Sequence, residues 1–272
     1  MERLEAALAK AREMRQSVLR DPTQPRNKPA PVAAQALDWR SLAEVDIGPE
    51  LARANRIMAL AGGKDAVPYD LLRSRVLRQM REKSWTRVAI TSPDPSCGKT
   101  TVALNLALSL SRQRDLKVML FDLDLRRPSL HKMLGHTVGN SFWEVLERKV
   151  PFPEVAVRFG ENLVIALNNA PTRHPAELLH GQSTADVLDE IEARWRPDIM
   201  IFDLCPMLAS DDNVGFLANV DCGILVAAAE ATRMSNIDVC EKELAQLTNV
   251  LGVVLNKCRY SDDSVGYAYG TY

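Results

Sequence analysis

The sequence has no hydrophobic run long enough to cross a bilayer. Its longest nearly unbroken apolar stretch, residues 222–229, is short and includes a glycine, whereas a spanning helix needs about 20 apolar residues. The opening MERLEAALAKAREMRQ does not read as a secretory leader either, because it is charged throughout and lacks an apolar core. The five cysteines, at 97, 205, 222, 240 and 258, are odd in number and form no CxxC pair, which points to a reduced, cytosolic chain without a zinc site. The four histidines (131, 136, 174 and 180) show no metal-ligand spacing, and His174 and His180 are expected near helix ends. An excess of one charge is also lacking: 34 Lys+Arg against 35 Asp+Glu leave a net charge of -1. No global field draws the chain to nucleic acid or membrane, so no nucleic-acid partner is expected and any such contact must be local. Aromatic residues make up only 6%, yet four of the five tyrosines, Tyr260, Tyr267, Tyr269 and Tyr272, crowd the last 13 positions.

What is present is an ordinary globular composition, 46% apolar and 25% charged over 272 residues, enough for one large domain with an extension. Residues 1–37 read as an N-terminal extension. Leu4, Ala7, Leu8, Ala11 and Met14 fall on one helical face, and DPTQPRNKPAPV then places four prolines in a linker. Residues 38–258 read as the globular domain and 259–272 as a flexible, tyrosine-rich tail. Within the domain, residues 71–87 predict a helix with Leu72, Val76 and Met80 on one face and Arg73, Arg75, Arg78, Arg81 and Lys83 on the other. That basic face suits a solvated surface, or a contact to an acidic partner, a neighbouring subunit or anionic lipid. Strands are expected at 87–91, 117–122, 162–166, 198–203, 223–227 and 251–256, with helices at 99–112, 183–195, 211–217 and 236–247. The strands are continuous apolar runs and not alternating ones, so both faces are buried. The fold class is therefore α/β, a doubly wound and mostly parallel sheet with helices on both faces.

Between the first two of these strands lies Ser92-Pro93-Asp94-Pro95-Ser96-Cys97-Gly98-Lys99-Thr100-Thr101. A GKT triplet at a strand-to-helix turn is the core of a P-loop, whose backbone N–H groups and helix N-terminus favour phosphate. Lys99 would reach the β and γ phosphates, and Thr100 would offer its hydroxyl to Mg²⁺. The usual first glycine of the motif is replaced by Pro93. Residues Asp94 to Thr101 form the candidate nucleotide-binding loop.

KVMLFDLDLRRP then places Asp122 and Asp124 at the end of a buried strand, and DIMIFDLCP does the same for Asp203. Ligands of doubly wound sheets bind outside these strand ends, so Thr100, Asp122 and Asp203 are candidate magnesium ligands. An aspartate at a strand end is also a common turn former, but two hhhhD strands after a GKT loop favour a nucleotide site. The last strand ends in Asn256-Lys257-Cys258-Arg259. Arg259 stands where a guanine-reading NKxD motif has its aspartate, so adenine is favoured and Asn256 joins the candidate cofactor residues.

SPDPSCGKTT, VMLFDLDLRRP, IMIFDLCP and the tyrosine-rich end together resemble the bacterial tyrosine kinases (BY-kinases, CpsD/CapB-like autokinases) of capsule and exopolysaccharide synthesis. These are relatives of the MinD, ParA and Mrp ATPases in the SIMIBI-like group of P-loop NTPases. The resemblance runs from Val67 to Tyr272 and includes NLALSLSR, HPAELLHG and LGVVLNK. The opening ERLEAALAKA is similar to that of exosortase-associated autokinases.

The resemblance implies ATP and Mg²⁺ as cofactors. It implies catalytic roles for Lys99, Asp122, Asp124, Arg126 and Asp203, and autophosphorylation of Tyr260, Tyr267, Tyr269 and Tyr272. It further implies self-association and a Wzz-type membrane co-polymerase as activator, with the chain cytoplasmic and peripheral at the inner face of the cell membrane. There are departures. Ser96-Cys97 replaces Gly-Glu in the loop, Cys205 interrupts the usual DxPP, and Arg73 alone remains of the ExxRxxR assembly motif. Asp94 occupies the position of the MinD-type signature lysine. The alternative reading is a non-kinase MinD/Mrp-like ATPase switch that dimerises on ATP and regulates a membrane partner.

Overall fold

The computed structural model describes residues 26 and 37–259. The predicted N-terminal helix, nearly all of the linker and the four tail tyrosines lie outside the described residues. The eight strands are β1 (Ala43–Glu44), β2 (Arg87–Thr91), β3 (Val118–Leu123), β4 (Ala156–Phe159), β5 (Leu163–Ala166), β6 (Ile199–Leu204), β7 (Cys222–Ala228) and β8 (Asn249–Asn256). They form one sheet in the order β1-β4-β5-β3-β6-β2-β7-β8. Only the β4–β5 pair is antiparallel among these neighbours.

All six expected strands are present within two residues of their predicted limits. β1 and β4 were not expected. β1 is two residues long, and β4 is a four-residue segment held by pairing with β5. Neither carries the continuous apolar run that marked the others.

Four long helices cover the sheet: α1 (Val67–Lys83), α2 (Lys99–Ser111), α3 (Gln182–Trp195) and α4 (Met234–Leu247). Alternate strand residues feed two cores. Val88, Ile90, Val118 and Leu120 pack with Val76, Met80, Leu104 and Leu108 of α1 and α2. Ala89, Met119, Phe121 and Phe202 pack on the other side with Leu188 and Ile191 of α3 and Leu244 of α4. Phe121 stacks on Phe202 with ring centroids 4.9 Å apart, and Phe216 meets Phe202 edge-on at 5.2 Å, a contact geometry that adds to area burial.

Helix α1 begins and ends four residues earlier than expected. Pro68 fits its first turn, and Ser84 stops it in the left-handed conformation at φ 55°. Arg75, Arg78, Arg81 and Lys83 remain exposed on its outer face. Arg73 does not join them. Its Nη1 donates to Asp70 at 3.1 Å and to the Ser109 carbonyl at 3.2 Å, while Arg112 donates to the same Asp70 carboxylate at 2.9 and 3.0 Å. The residue left from the assembly motif is thus bound within its own chain.

Candidate nucleotide-binding site

β2 lies between β6 and β7, and the loop that follows it emerges at the carboxyl ends of the parallel strands. The loop is tied to the segment after β6. The Thr91 hydroxyl donates to the Cys205 carbonyl at 2.7 Å, and the Met207 N–H donates to the Ser92 carbonyl at 2.8 Å. Ser96 and Gly98 take left-handed conformations, with φ 63° and 88°, on either side of buried Cys97. Such alternation turns successive backbone N–H groups into one concavity suited to an anion. Gly98 is required twice, by its φ and because a Cβ there would collide with the Asn256 side chain. Asn256 donates from Nδ2 to the Cys97 carbonyl at 2.9 Å, so it braces the loop from β8. Pro95 is exposed beside them, and Asp94 accepts from Asn236 Nδ2 at 3.1 and 3.2 Å.

Gly98 caps α2, so Lys99, Thr100 and Thr101 open a 13-residue helix whose dipole adds positive potential at the loop. Lys99 Nζ donates to Asp124 Oδ2 at 2.7 Å. Asp122 and Asp203 are directly paired across β3 and β6, which sets both carboxylates at one level beside this lysine. Asp122 Oδ2 accepts the backbone N–H groups of Ser129 and Leu130, each at 3.1 Å. Asp122 Oδ1 and both oxygens of Asp203 are buried without a hydrogen-bond partner among the described residues.

The electrostatics follow from this crowding. Burial pushes the Asp203 carboxyl up to about 6, with Lys99 and the nearby Thr100 hydroxyl pulling it back and Asp124 adding to the rise. Burial, with the Asp203 charge second, raises Asp122 well above the ordinary carboxylate range. Burial alone would lower Lys99, but Asp203, Asp124 and Asp122 together outweigh it and hold the ammonium up to about 12. One ammonium facing three carboxylates leaves room for a dication. The donor set of Thr100, Asp122 and Asp203 consists of hard oxygens, as Mg²⁺ prefers. No cluster of three or more His, Cys, Asp or Glu side chains suited to a metal occurs among the described residues.

Two further features flank this centre. A 390 Å³ cavity on one side of the loop is lined by Asp94, Ser96, Cys97, Thr232, Arg233 and Lys257, among others. On the other side Arg126 is clamped by Asp212, Nε to Oδ2 and Nη2 to Oδ1, both at 2.8 Å. Asp212 is 1% exposed and Arg126 is about half exposed, so Arg126 presents a fixed guanidinium edge to solvent. Asp212 was missed in the sequence, as were Asn213, which donates to Cys205 and Thr91, and Asn236. The one signal for the first two was a polar Ser-Asp-Asp-Asn run close behind a buried strand. Cys205 itself is an unreactive packing thiol, pushed up to about 12 by burial. His180 fills a packing role near its helix end, its ring accepting the Gly215 N–H at 3.0 Å.

A family model described as the CobQ/CobB/MinD/ParA nucleotide binding domain matches residues 88–265. The tyrosine-protein kinase YwqD of Bacillus subtilis is 32% identical over 208 residues, which cover 75% of this chain and 85% of YwqD. The chain belongs to the bacterial tyrosine-kinase family. Other members of this tyrosine-kinase family are far longer. Etk of Escherichia coli K12 is 29% identical over 188 residues, a match covering 68% of this chain but 25% of Etk. The solved Etk kinase domain shares the fold with a TM-score of 0.67 at 24% identity, covering 92% of this chain and 90% of that domain. The kinase family's wider fold includes cobyrinic acid a,c-diamide synthase of Mycobacterium smegmatis. That enzyme, solved with an ATP analog and magnesium, superposes with a TM-score of 0.53 at 20% identity over 63% of this chain and 72% of its own.

Proposed function

We propose that the chain is an ATP- and Mg²⁺-dependent protein-tyrosine autokinase. The observation that carries this reading is the placement of Lys99 among Asp122, Asp124 and Asp203, with three buried carboxylate oxygens unpartnered, next to a loop shaped for phosphate. A triphosphate brought alone to one ammonium and three carboxylates would be repelled, so the site calls for a nucleotide that arrives with a dication. Thr100, Asp122 and Asp203 would hold Mg²⁺, which supplies charge neutralisation to the transferring phosphoryl group. The backbone N–H groups from Ser96 to Thr101 would cradle the phosphates, and the cavity beside Asp94 and Arg233 would take the base and ribose. The base is adenine, since Arg259 stands where a guanine-reading aspartate would be.

Lys99 then neutralises charge that develops on the transferred group. Asp124 holds Lys99 in place and is itself fixed by the Arg127 N–H at 3.0 Å. A carboxylate beside Lys99, Asp122 or Asp124, would orient the attacking tyrosine hydroxyl. The four tail tyrosines start directly after the last described residue, Arg259, at the carboxyl end of β8. From Asn256, the 16 following residues reach about 55 Å when extended, enough for their own site or that of a neighbouring copy. Through self-association and a Wzz-type membrane activator, the kinase would act at the inner face of the cell membrane and regulate capsule or exopolysaccharide production.

The test is peptide-resolved mass spectrometry after incubation with ATP and Mg²⁺, for wild type and Lys99→Met. The cytoplasmic segment of a candidate activator is supplied in parallel. Phosphate on Tyr260, Tyr267, Tyr269 or Tyr272 that disappears in the variant is the expected result. Unmodified tyrosines alongside Lys99-dependent ATP hydrolysis would replace the kinase reading with the ATPase switch.

A further inference from the structure

At the end of the sheet opposite the nucleotide loop, the first residue of β2 is a fully buried arginine. Arg87 is 1% exposed and its head is enclosed by acids. Nε donates to Glu192 at 2.8 Å, Nη2 donates to Asp189 at 2.5 Å, and Nη1 reaches the Asn219 carbonyl at 3.3 Å. Asp221 accepts the backbone N–H groups of Thr86 and Arg87 at 2.8 and 2.9 Å. One guanidinium against two buried carboxylates, Glu192 and Asp221, and a half-exposed third, Asp189, would leave buried charge uncompensated, which is strongly unfavourable.

The missing cation comes from far away in the sequence. Arg26, in the proline-rich stretch DPTQPRNKPAPV, has only 7% of its side chain exposed. Its Nη2 donates to both oxygens of Glu192 at 3.0 and 2.8 Å, its Nη1 lies 3.5 Å from Asp189, and its Nε lies 3.4 Å from Asp221. Guanidinium is the natural ligand for such a cluster, because its planar fork meets several carboxylates at once and it sheds water more readily than ammonium. A second tie follows soon after: the Leu37 N–H donates to the Arg194 carbonyl at 3.1 Å. Asp189, Glu192 and Arg194 all belong to α3, so the chain is pinned at both 26 and 37 to one helix.

We infer that Asp189, Glu192 and Asp221 form an arginine-binding pocket that moors the N-terminal segment to the domain through Arg26. The consequence is positional. The stretch predicted from the sequence as amphipathic, residues 2–20, ends six positions before Arg26, so its attachment point lies within about 20 Å of extended chain from the pocket. The mooring goes beyond the kinase reading and stands without it.

Trypsin reads the mooring directly, because cleavage at Arg26–Asn27 requires the Arg26 side chain to enter the protease. In the full-length protein that bond is expected to be cut at least about tenfold more slowly than in the urea-unfolded chain, since cleavage tracks the population of the released state. Glu192→Gln should bring back rapid cutting at this bond, monitored by mass spectrometry, while circular dichroism confirms that the domain is folded. Arg26→Gln supplies an independent variant that leaves the acidic pocket intact. Small-angle X-ray scattering should show a larger maximum dimension for it than for wild type. Cutting of wild type at the unfolded rate, or an unchanged scattering profile in Arg26→Gln, would overturn the mooring.

Discussion

The two ends of the central strands hold nearly the same charged groups in opposite states. At the amino end, Arg87 and Arg26 face Asp189, Glu192 and Asp221, and among the described residues no buried oxygen of these acids lacks a partner, Arg26 Nε being the one cluster atom without a hydrogen bond. At the carboxyl end, Lys99 faces Asp122, Asp124 and Asp203, and three buried carboxylate oxygens have no hydrogen-bond partner among the described residues, with the Thr100 hydroxyl nearby. Guanidinium forks satisfy the buried acid oxygens of the first cluster, whereas a single ammonium cannot do so in the second. The difference separates two uses of buried charge. A closed cluster fixes chain to chain. An open one stores unfavourable electrostatics that a cation and an anion can relieve on binding.

Removing the single cation of the open end should have the largest effect on activity. Lys99→Met is expected to lower phosphoryl transfer by about 10²- to 10³-fold, as for loss of one transition-state charge partner, measured by initial rates of phosphotyrosine formation. At the closed end the damage should fall on stability instead. Arg87→Leu leaves buried carboxylates without their main partner, and a loss of about 3–5 kcal/mol is expected from urea denaturation midpoints. Arg126→Ala sharpens the comparison from outside both clusters. Arg126 is half exposed and its pKa is raised chiefly by its hydrogen bonds to Asp212. Its loss leaves the buried Asp212 carboxylate without its bidentate partner and should cost about 1–3 kcal/mol, so the transfer rate is compared under conditions where urea denaturation shows the variant to be folded.

The two ends also differ in how far the sequence disclosed them. The carboxyl end was legible because its parts are local. A strand, a GKT turn and a helix lie within about 25 residues, and each buried hhhhD strand announces its own aspartate. Parallel pairing then does the rest, since the registers of β3 and β6 place Asp122 opposite Asp203. The amino end was not legible. Nothing within DPTQPRNKPAPV distinguishes Arg26 from a solvated linker arginine, because its partners lie more than 160 residues away. Arg87 read simply as the start of a strand. The clamp between Arg126 and Asp212 spans 86 residues and was hidden for the same reason. Arg73 belonged by helical period to an exposed face, but a polar contact with Ser109 turned it inward. β4 was missed because its pairing with β5, and not an apolar run of its own, makes it a strand.

The central claim is that the carboxyl-end cluster is held open for a cation and its nucleotide. Thermal denaturation of wild type and Asp203→Asn, with and without Mg²⁺ and ATP, tests it most directly. In wild type the Asp203 carboxyl is raised from 3.8 to about 6. The folded state therefore binds its proton more tightly than the unfolded state does, and the fold loses stability as pH rises from about 4 to 6. At pH 7 that full penalty, at most about 3 kcal/mol, is present in wild type and absent in the variant. Asp203→Asn without ligand should melt at a higher temperature than wild type at pH 7, with the gap closing near pH 4. Mg²⁺ with ATP should then raise the melting temperature of wild type far more than that of the variant. An unliganded variant that melts below wild type at pH 7, or equal stabilisation of both proteins by Mg²⁺ and ATP, would contradict the account.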